Sequence, residues 1–230
     1  MSIRRTLVAL SVAMLVVVSG CGSDDQKADG KPLVGTFKLT AGSCTSGTPK
    51  GTYFRMISPG GTIEKGKFFY NPDSPCKDQS FSPQKPGSDG GLVTGAFQPA
   101  AGKAFDAQGN AQAARITRPG SFTAIDFALS TNQVDPQTRK KVPAPEIRAK
   151  DGKLSGQVTA WSAAWNNLYF NQGSPKPDGS TPGLTSPVTG TYDASTGRYT
   201  LEWASQIVGG PFNRFTGFWH LEGTFVPSGK

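Results

Sequence analysis

Arg198-Tyr199-Thr200-Leu201-Glu202-Trp203-Ala204 and Phe215-Thr216-Gly217-Phe218-Trp219-His220-Leu221-Glu222-Gly223-Thr224-Phe225-Val226 decide the fold. In the first stretch Tyr199, Leu201 and Trp203 occupy alternate positions. In the second, Trp219, Leu221 and Phe225 share one face, and His220, Glu222 and Thr224 share the other. Alternation of period two is the signature of a strand with one buried face, because successive side chains of a strand point to opposite sides of the sheet. Val188 to Tyr192 precedes this pair and leads into it through Asp193-Ala194-Ser195-Thr196-Gly197, a run of turn-forming residues.

The same period recurs upstream. Lys153 to Ala160 alternates Leu154, Gly156, Val158 and Ala160 with polar residues. Ser121 to Ser130 puts Thr123, Ile125, Phe127 and Leu129 on one face and Asp126 on the other. Residues 52–57 and 63–69 flank Ser58-Pro59-Gly60-Gly61-Thr62, which reads as the turn of a hairpin. No segment carries a long helical stripe, and 29 Gly with 18 Pro in 230 residues is a composition hostile to helices. An aromatic content of 10% supplies a core and argues against disorder. The expectation is an all-β fold, an antiparallel β-sandwich or alternatively a partly closed β-barrel, with long loops and little helix.

A short word, Gly followed by a small or polar residue and then an aromatic or Val, recurs at Gly35-Thr36-Phe37, Gly190-Thr191-Tyr192 and Gly223-Thr224-Phe225 among other places. Its spacing is irregular, so the chain is no solenoid. Strand glycines covered by neighbouring aromatics suit sheets that bend. Residues 70–91, 98–120, 131–152 and 172–187 read as loops. Loops of this length in a compact domain are commonly functional or disordered, which points to a recognition surface at one end of the sandwich.

The N-terminus carries a different signal. Arg4 and Arg5 precede an apolar run from Leu7 to Val18, followed by Val18-Ser19-Gly20-Cys21. The run is too short to span a bilayer, which needs about 20 residues, and has the flanks of a secretory signal. Val18 to Cys21 resembles the lipobox of bacterial lipoproteins. That resemblance implies cleavage before Cys21 and acylation of its thiol, with palmitate among the attached chains. Residues 1–20 are then the signal peptide, 21–32 a polar flexible tether, and 33–230 a single β-rich domain. The tether reaches on the order of 20 Å as a coil and about 40 Å extended, which holds the domain close to its membrane.

With Cys21 acylated, Cys44 and Cys76 remain in an exported, oxidising compartment and are expected to form a disulfide. The formal charge of +8 falls to +6 after cleavage, with 22 basic and 16 acidic residues left. The densest basic stretch, Arg139, Lys140, Lys141, Arg148, Lys150 and Lys153, is diluted by Glu146 and Asp151 and reads as a solvated loop. Nucleic acid is not an expected partner. The expected partners are the membrane, through the lipid, and a cell-wall glycan or an envelope protein.

Candidate chemistry is sparse. His220 is the one imidazole of the chain, which excludes any site needing two, and no G-x-S-x-G elbow accompanies it. Glu202 and Glu222 lie on polar faces of C-terminal strands and are the carboxylates a glycan hydrolase would use if those strands are neighbours. Asp106-Ala107-Gln108-Gly109-Asn110-Ala111-Gln112 partly resembles a calcium loop, with Asp106, Gln108 and Asn110 as ligands. It lacks the further acid such loops supply, and an Asx-type turn explains it equally.

Trp161, Trp165 and Tyr169 recur every four residues beside Asn166, Asn167, Asn171 and Gln172. Aromatic faces bordered by amides suit sugar rings, so Trp161, Trp165, Tyr169 and Asn171 form a candidate glycan site; the competing reading is a second buried layer.

Residues 207–225, ending in Phe218-Trp219-His220-Leu221-Glu222-Gly223-Thr224-Phe225, are similar to the C-terminal stretch of a family of exported actinomycete lipoproteins. Residues 53–91, including Asn71-Pro72-Asp73-Ser74-Pro75-Cys76, and Gly173-Ser174-Pro175-Lys176-Pro177-Asp178-Gly179 resemble other parts of that family. The resemblance implies export and an all-β domain and brings no activity or site residue with it. Together these readings give a lipid-anchored domain on the outer face of the cell membrane that binds an envelope ligand without catalysis and needs no cofactor unless calcium. The alternatives are a carboxylate-based glycan hydrolase and a purely structural envelope protein.

Overall fold

The computed structural model describes residues 30–44 and 49–229. Cys21, the segment read as a signal peptide and most of that read as a tether lie outside the described residues. In chain order the strands are β1 (Lys31–Leu33), β2 (Gly35–Leu39), β3 (Tyr53–Thr62), β4 (Gly66–Phe68), β5 (Phe81–Pro83), β6 (Gly91–Thr94), β7 (Gly120–Phe122) and β8 (Ile125–Thr131). They continue as β9 (Glu146–Lys150), β10 (Lys153–Gln157), β11 (Trp161–Trp165), β12 (Leu168–Asn171), β13 (Val188–Tyr192), β14 (Arg198–Gln206) and β15 (Thr216–Pro227). No helix occurs among the described residues, and the strands form an 11-stranded and a 4-stranded sheet. The all-β expectation holds, and sandwich and partly closed barrel are both realised, at two ends of one core.

The barrel end closes through one bent segment. β1 pairs with β9 (Leu33↔Ile147), and β2, one residue further on, pairs with β15 (Phe37↔Phe225). The large sheet runs β1-β9-β10-β13-β14-β15-β2-β6, so the path from β1 round to β2 returns to the stretch from Lys31 to Leu39, with β6 on the far side of β2. Alternate residues point inward and are buried, among them Phe37, Ile147, Leu154, Tyr199, Leu201 and Phe225. The sheet curls this tightly because glycines let backbones approach. A Cβ on Gly223 would collide with the Lys38 carbonyl, and one on Gly190 with the Thr200 carbonyl.

β15 links the two ends. Its C-terminal half pairs with β2, and its N-terminal half, from Thr216↔Ile57 to His220↔Tyr53, pairs with β3. β3 carries β4 and β5. This half of the large sheet faces the small sheet, β12-β11-β8-β7. Trp203 and Trp219 come from the large sheet and Trp161 from the small one, and all three are fully buried.

Several sequence expectations need correction, among them the reading of 70–91 as loop throughout, since β5 lies within it. The turn after residue 57 lies at 63–65; β3 runs on through Ser58-Pro59-Gly60-Gly61, which form a bulge between the pairs Ile57↔Phe68 and Thr62↔Gly66. Residues 131–152 are not wholly loop but include β9, whose Arg148 and Lys150 disguised the strand. The sheet begins at Lys31, two residues inside the segment read as tether. Residues 172–187 are irregular as expected, yet Gln172, Ser174 and Lys176 are buried.

Candidate functional site

The aromatic stripe does not form one surface. Asn166 and Asn167, at φ 47° and 60°, make the tight turn that joins β11 to β12. Trp161 and Trp165 therefore share the inward face of β11, while Tyr169 pairs with Ala164 and turns to the opposite face. Trp161 has 0% exposure and Trp165 packs against the same core, its Nε1 donating to the Phe122 carbonyl at 2.8 Å. Tyr169 meets Phe105 edge-on at 5.3 Å, under the cover of the 98–113 loop. The second-buried-layer reading is the correct one for Trp161 and Trp165.

Asn171 is buried too, within a polar cluster. Its side-chain amide donates to Asp135 Oδ2 at 2.8 Å and to the Thr159 carbonyl at 2.9 Å. Asp135 is fully buried and also accepts from the Thr138 backbone, the Thr138 hydroxyl and Ser162. Asn171 thus pins the 131–145 loop to the small sheet.

The Asp106 loop is an Asx-type turn. Asp106 Oδ1 accepts the backbone N–H groups of Gln108 and Asn110, and Oδ2 accepts from the Asn110 amide. Those bonds, led by the Asn110 amide, hold the Asp106 carboxyl below its ordinary range. Asn110 Oδ1 accepts the Asp126 N–H, so the side-chain oxygens of Asp106 and Asn110 face protein donors. Among the described residues no group of three His, Cys, Asp or Glu gathers as a metal site.

Cys44 and Cys76 are joined, with Cα atoms 5.3 Å apart. Cys76 is buried, and the bridge ties the irregular 70–80 segment to the β2–β3 connection.

The residues that do come together lie on the outer face of β13, β14, β15 and β3. Strand alternation that buries Leu201, Trp203, Trp219 and Leu221 turns Thr200, Glu202, His220 and Glu222 outward. Glu202 lies directly across from His220, and His220 across from Tyr53. His220 Nδ1 is 2.7 Å from Glu202 Oε1, and its Nε2 is 3.8 Å from Glu222 Oε2. The imidazole stacks on Tyr53 at 4.7 Å and 10°. Burial, followed by the Glu202 charge, raises the Tyr53 phenol above its ordinary pKa, so it stays a hydrogen-bonding hydroxyl. Next to Tyr53, Arg55 is sandwiched between Phe68 at 3.2 Å and Phe81 at 3.8 Å.

Glu222 also borders an open concavity of about 690 Å³, with Thr40, Thr191, Asp193, Arg198 and Thr200. Thr191 and Thr200 meet across the strands at 2.7 Å between hydroxyl oxygens. Asp193 opens the turn into β14. Hydrogen bonds from the Ser195 and Thr196 hydroxyls and from the Ser195 backbone pull its carboxyl down to about 2. The cleft is thus lined by the paired Thr191 and Thr200 hydroxyls, the Arg198 guanidinium and the carboxylates of Glu222 and Asp193, the last already accepting from Ser195 and Thr196.

Of these residues the sequence reading picked out Glu202, Glu222 and His220 as sharing polar faces. Tyr53, Thr191, Asp193 and Arg198 were missed, because their neighbourhood depends on strand order. Comparison with protein-family models, curated proteins and solved structures finds no match to this chain.

Proposed function

We propose that this chain is a membrane-anchored extracytoplasmic lipoprotein whose β-domain binds a cell-envelope glycan without turning it over. The observation that carries the binding reading is the cleft floored by Thr191, Thr200, Arg198 and Glu222. A polyhydroxylated ligand needs donors and acceptors closely interspersed, and cross-strand rows of Thr, Glu and Arg supply them at strand spacing. Support for export comes from the Arg4, Arg5, Leu7-to-Val18 and Cys21 pattern, and from a disulfide of the kind that persists in oxidising compartments. The anchor fits this role: a short tether keeps a polar-faced domain next to the wall polymer it would hold.

The test uses the full chain expressed in an actinomycete host. Intact mass of the purified protein is expected to show loss of residues 1–20 and a diacylglyceryl increment on Cys21. Retention of those residues in a cytosolic product would sink the anchored reading. Pull-down with purified cell-wall polysaccharide is expected to retain the protein, and Thr200→Val with Arg198→Gln to release it without lowering the thermal midpoint. Unchanged retention by that double variant overturns the assignment of the cleft.

A second reading has one observation in its favour: Glu202 and Glu222 flank a shared imidazole on adjacent strands. A hydrolase built on them releases reducing ends from wall polysaccharide and loses that release in both Glu202→Gln and Glu222→Gln. Binding with no release in the unmodified protein removes this reading.

A further inference from the structure

A second cleft, of about 280 Å³, opens between the 131–145 and 172–187 loops and shares no residue with the polar sheet face. Its two buried lining residues, Asn171 and Lys176, make the floor. Lys176 is only 5% exposed, and its Nζ donates to the Asn171 carbonyl at 2.8 Å and to Ser205 Oγ at 2.7 Å. Both acceptors are neutral, and among the described residues no carboxylate stands within ion-pair distance of this amine. The buried Asp135 carboxylate acts on this amine through its charge, and it already accepts from Thr138, Ser162 and Asn171. A buried ammonium held only by neutral dipoles is costly. Burial draws the Lys176 amine down to about 7, with Asp135 and Asp178 acting in the opposite direction.

Most other polar groups of the cleft are already committed. Gln137 donates to the Val208 carbonyl and accepts from the Asn171 N–H. Thr138 gives both its N–H and its hydroxyl to Asp135, and Ser180 gives both of its own to Asp178. The Asn171 amide protons are both used. The charged donors with capacity to spare are the ammonium groups of Lys176 on the floor and Lys140 at the rim; of the neutral side chains, Gln137 keeps one amide proton. Asp178 at the rim opposes an anion, but Lys140 lies close enough to help hold its carboxyl below the usual range. The remaining walls, Pro177, Pro182 and Val208, are apolar. A sugar would find few free partners here. An anion with an apolar body would find two cations and three apolar walls.

We propose that this cleft binds a small organic carboxylate, with its anionic group on the Lys176 ammonium and its apolar body against Pro177, Pro182 and Val208. The volume, about nine waters' worth at roughly 30 Å³ each, suits a short-chain aliphatic or single-ring acid. The ligand supplies the counter-charge that the fold leaves out, so binding and protonation of Lys176 are coupled.

The test is calorimetric titration of the full chain in detergent with butyrate and with benzoate. Saturable binding is expected at pH 6.5, and affinity lower by more than about tenfold at pH 8.5, since only the protonated fraction of Lys176 is competent. Heats measured in two buffers of different ionisation enthalpy should show proton uptake. Lys176→Met, which keeps the apolar stem and removes the buried charge, should fold and abolish binding; Lys140→Gln should weaken it severalfold. Butyramide and inorganic phosphate should not compete. Affinity that is independent of pH, undiminished in Lys176→Met, or matched by butyramide overturns the proposal. Stronger binding of phosphate overturns the choice of a carboxylate. Glycan retention by Lys176→Met should be unchanged, which separates this site from the sheet-face cleft.

Discussion

Trp161 stands edge-on to Trp203 across the gap between the two sheets, with ring centroids 5.2 Å apart and planes at 86°. Trp219 completes the contact, 5.4 Å from Trp161. Each pair adds about 0.5–1.5 kcal/mol beyond the area it buries, which makes this cluster the join between sandwich and barrel. Trp161→Ala removes the small sheet's contribution and is expected to lower stability by about 3–5 kcal/mol in denaturant unfolding. The phenylalanine variants separate packing from hydrogen bonding. Trp161 Nε1 is buried with no partner among the described residues, whereas Trp203 Nε1 donates to the Gln172 carbonyl at 2.9 Å. Trp161→Phe deletes an unsatisfied donor, and Trp203→Phe creates an unsatisfied acceptor, so the second should cost more. The reverse order would show that Trp161 Nε1 is bonded in solution.

The Cys44–Cys76 bridge closes a loop with a sequence separation of 32. In the chain-entropy model a bridge of that span contributes about 3.7 kcal/mol, most of it by restricting the unfolded chain. Cys44→Ala with Cys76→Ala should therefore lower the unfolding midpoint in urea and steepen the slope, because the unfolded chain without the bridge is less compact. Limited proteolysis is the local check: cleavage should first appear within 70–80, where few backbone bonds hold the segment. Unchanged protection there would show that the bonds from the Asn71 amide to Ser82 Oγ and from the Ser74 hydroxyl to the Phe81 carbonyl hold that segment without the bridge.

Curvature of the large sheet depends on where backbones can touch. Gly223 lies on β15 opposite Leu39, and a methyl group there would strike the Lys38 carbonyl, a backbone atom that cannot swing aside. Gly102 has open space around its Cβ position. Gly223→Ala should cost more than about 2 kcal/mol through strand separation, while Gly102→Ala stays within about 0.5 kcal/mol. Equal effects from the two would remove close approach as the reason for the strand glycines.

The strands with one wet face were legible in the sequence, because alternation at Tyr199, Leu201 and Trp203 is a local property of strand geometry. β9 was not, since Glu146, Arg148 and Lys150 give a charged face opposite only Ile147 and Ala149. The Trp161–Tyr169 spacing misled for a different reason. Four-residue spacing keeps side chains on one side within an unbroken element, and the Asn166-Asn167 turn breaks it. Glu202, His220 and Glu222 could be assigned to polar faces, but which strands adjoin them depends on β15 pairing with β14 on one edge and with β2 and β3 on the other. Lys176 was wholly illegible. Gly173-Ser174-Pro175-Lys176-Pro177-Asp178-Gly179 has the composition of a solvated loop, and the burial of Lys176 goes with acceptors outside that segment, the nearby Asn171 carbonyl and Ser205 Oγ on β14.

That burial has a consequence for stability that needs no ligand. The Lys176 amine titrates near 7 when folded against an ordinary value of 10.5. Between those values the unfolded chain binds a proton that the folded chain does not, so stability rises with pH across that window. Below about 7 both states are charged and the full cost of burying the ammonium is present. Above about 10.5 both are neutral and the cost is gone. The slope inside the window approaches about 1.4 kcal/mol per pH unit, since each pKa unit is worth that much. Other lysines and tyrosines titrate at high pH, so the measurement is the difference between the natural chain and Lys176→Met, by urea unfolding from pH 6 to pH 9. Lys176→Met should be the more stable at pH 6, and its advantage should shrink steadily above pH 7. An advantage that does not change with pH would place the Lys176 amine in contact with water, and the cleft floor would then be open rather than buried.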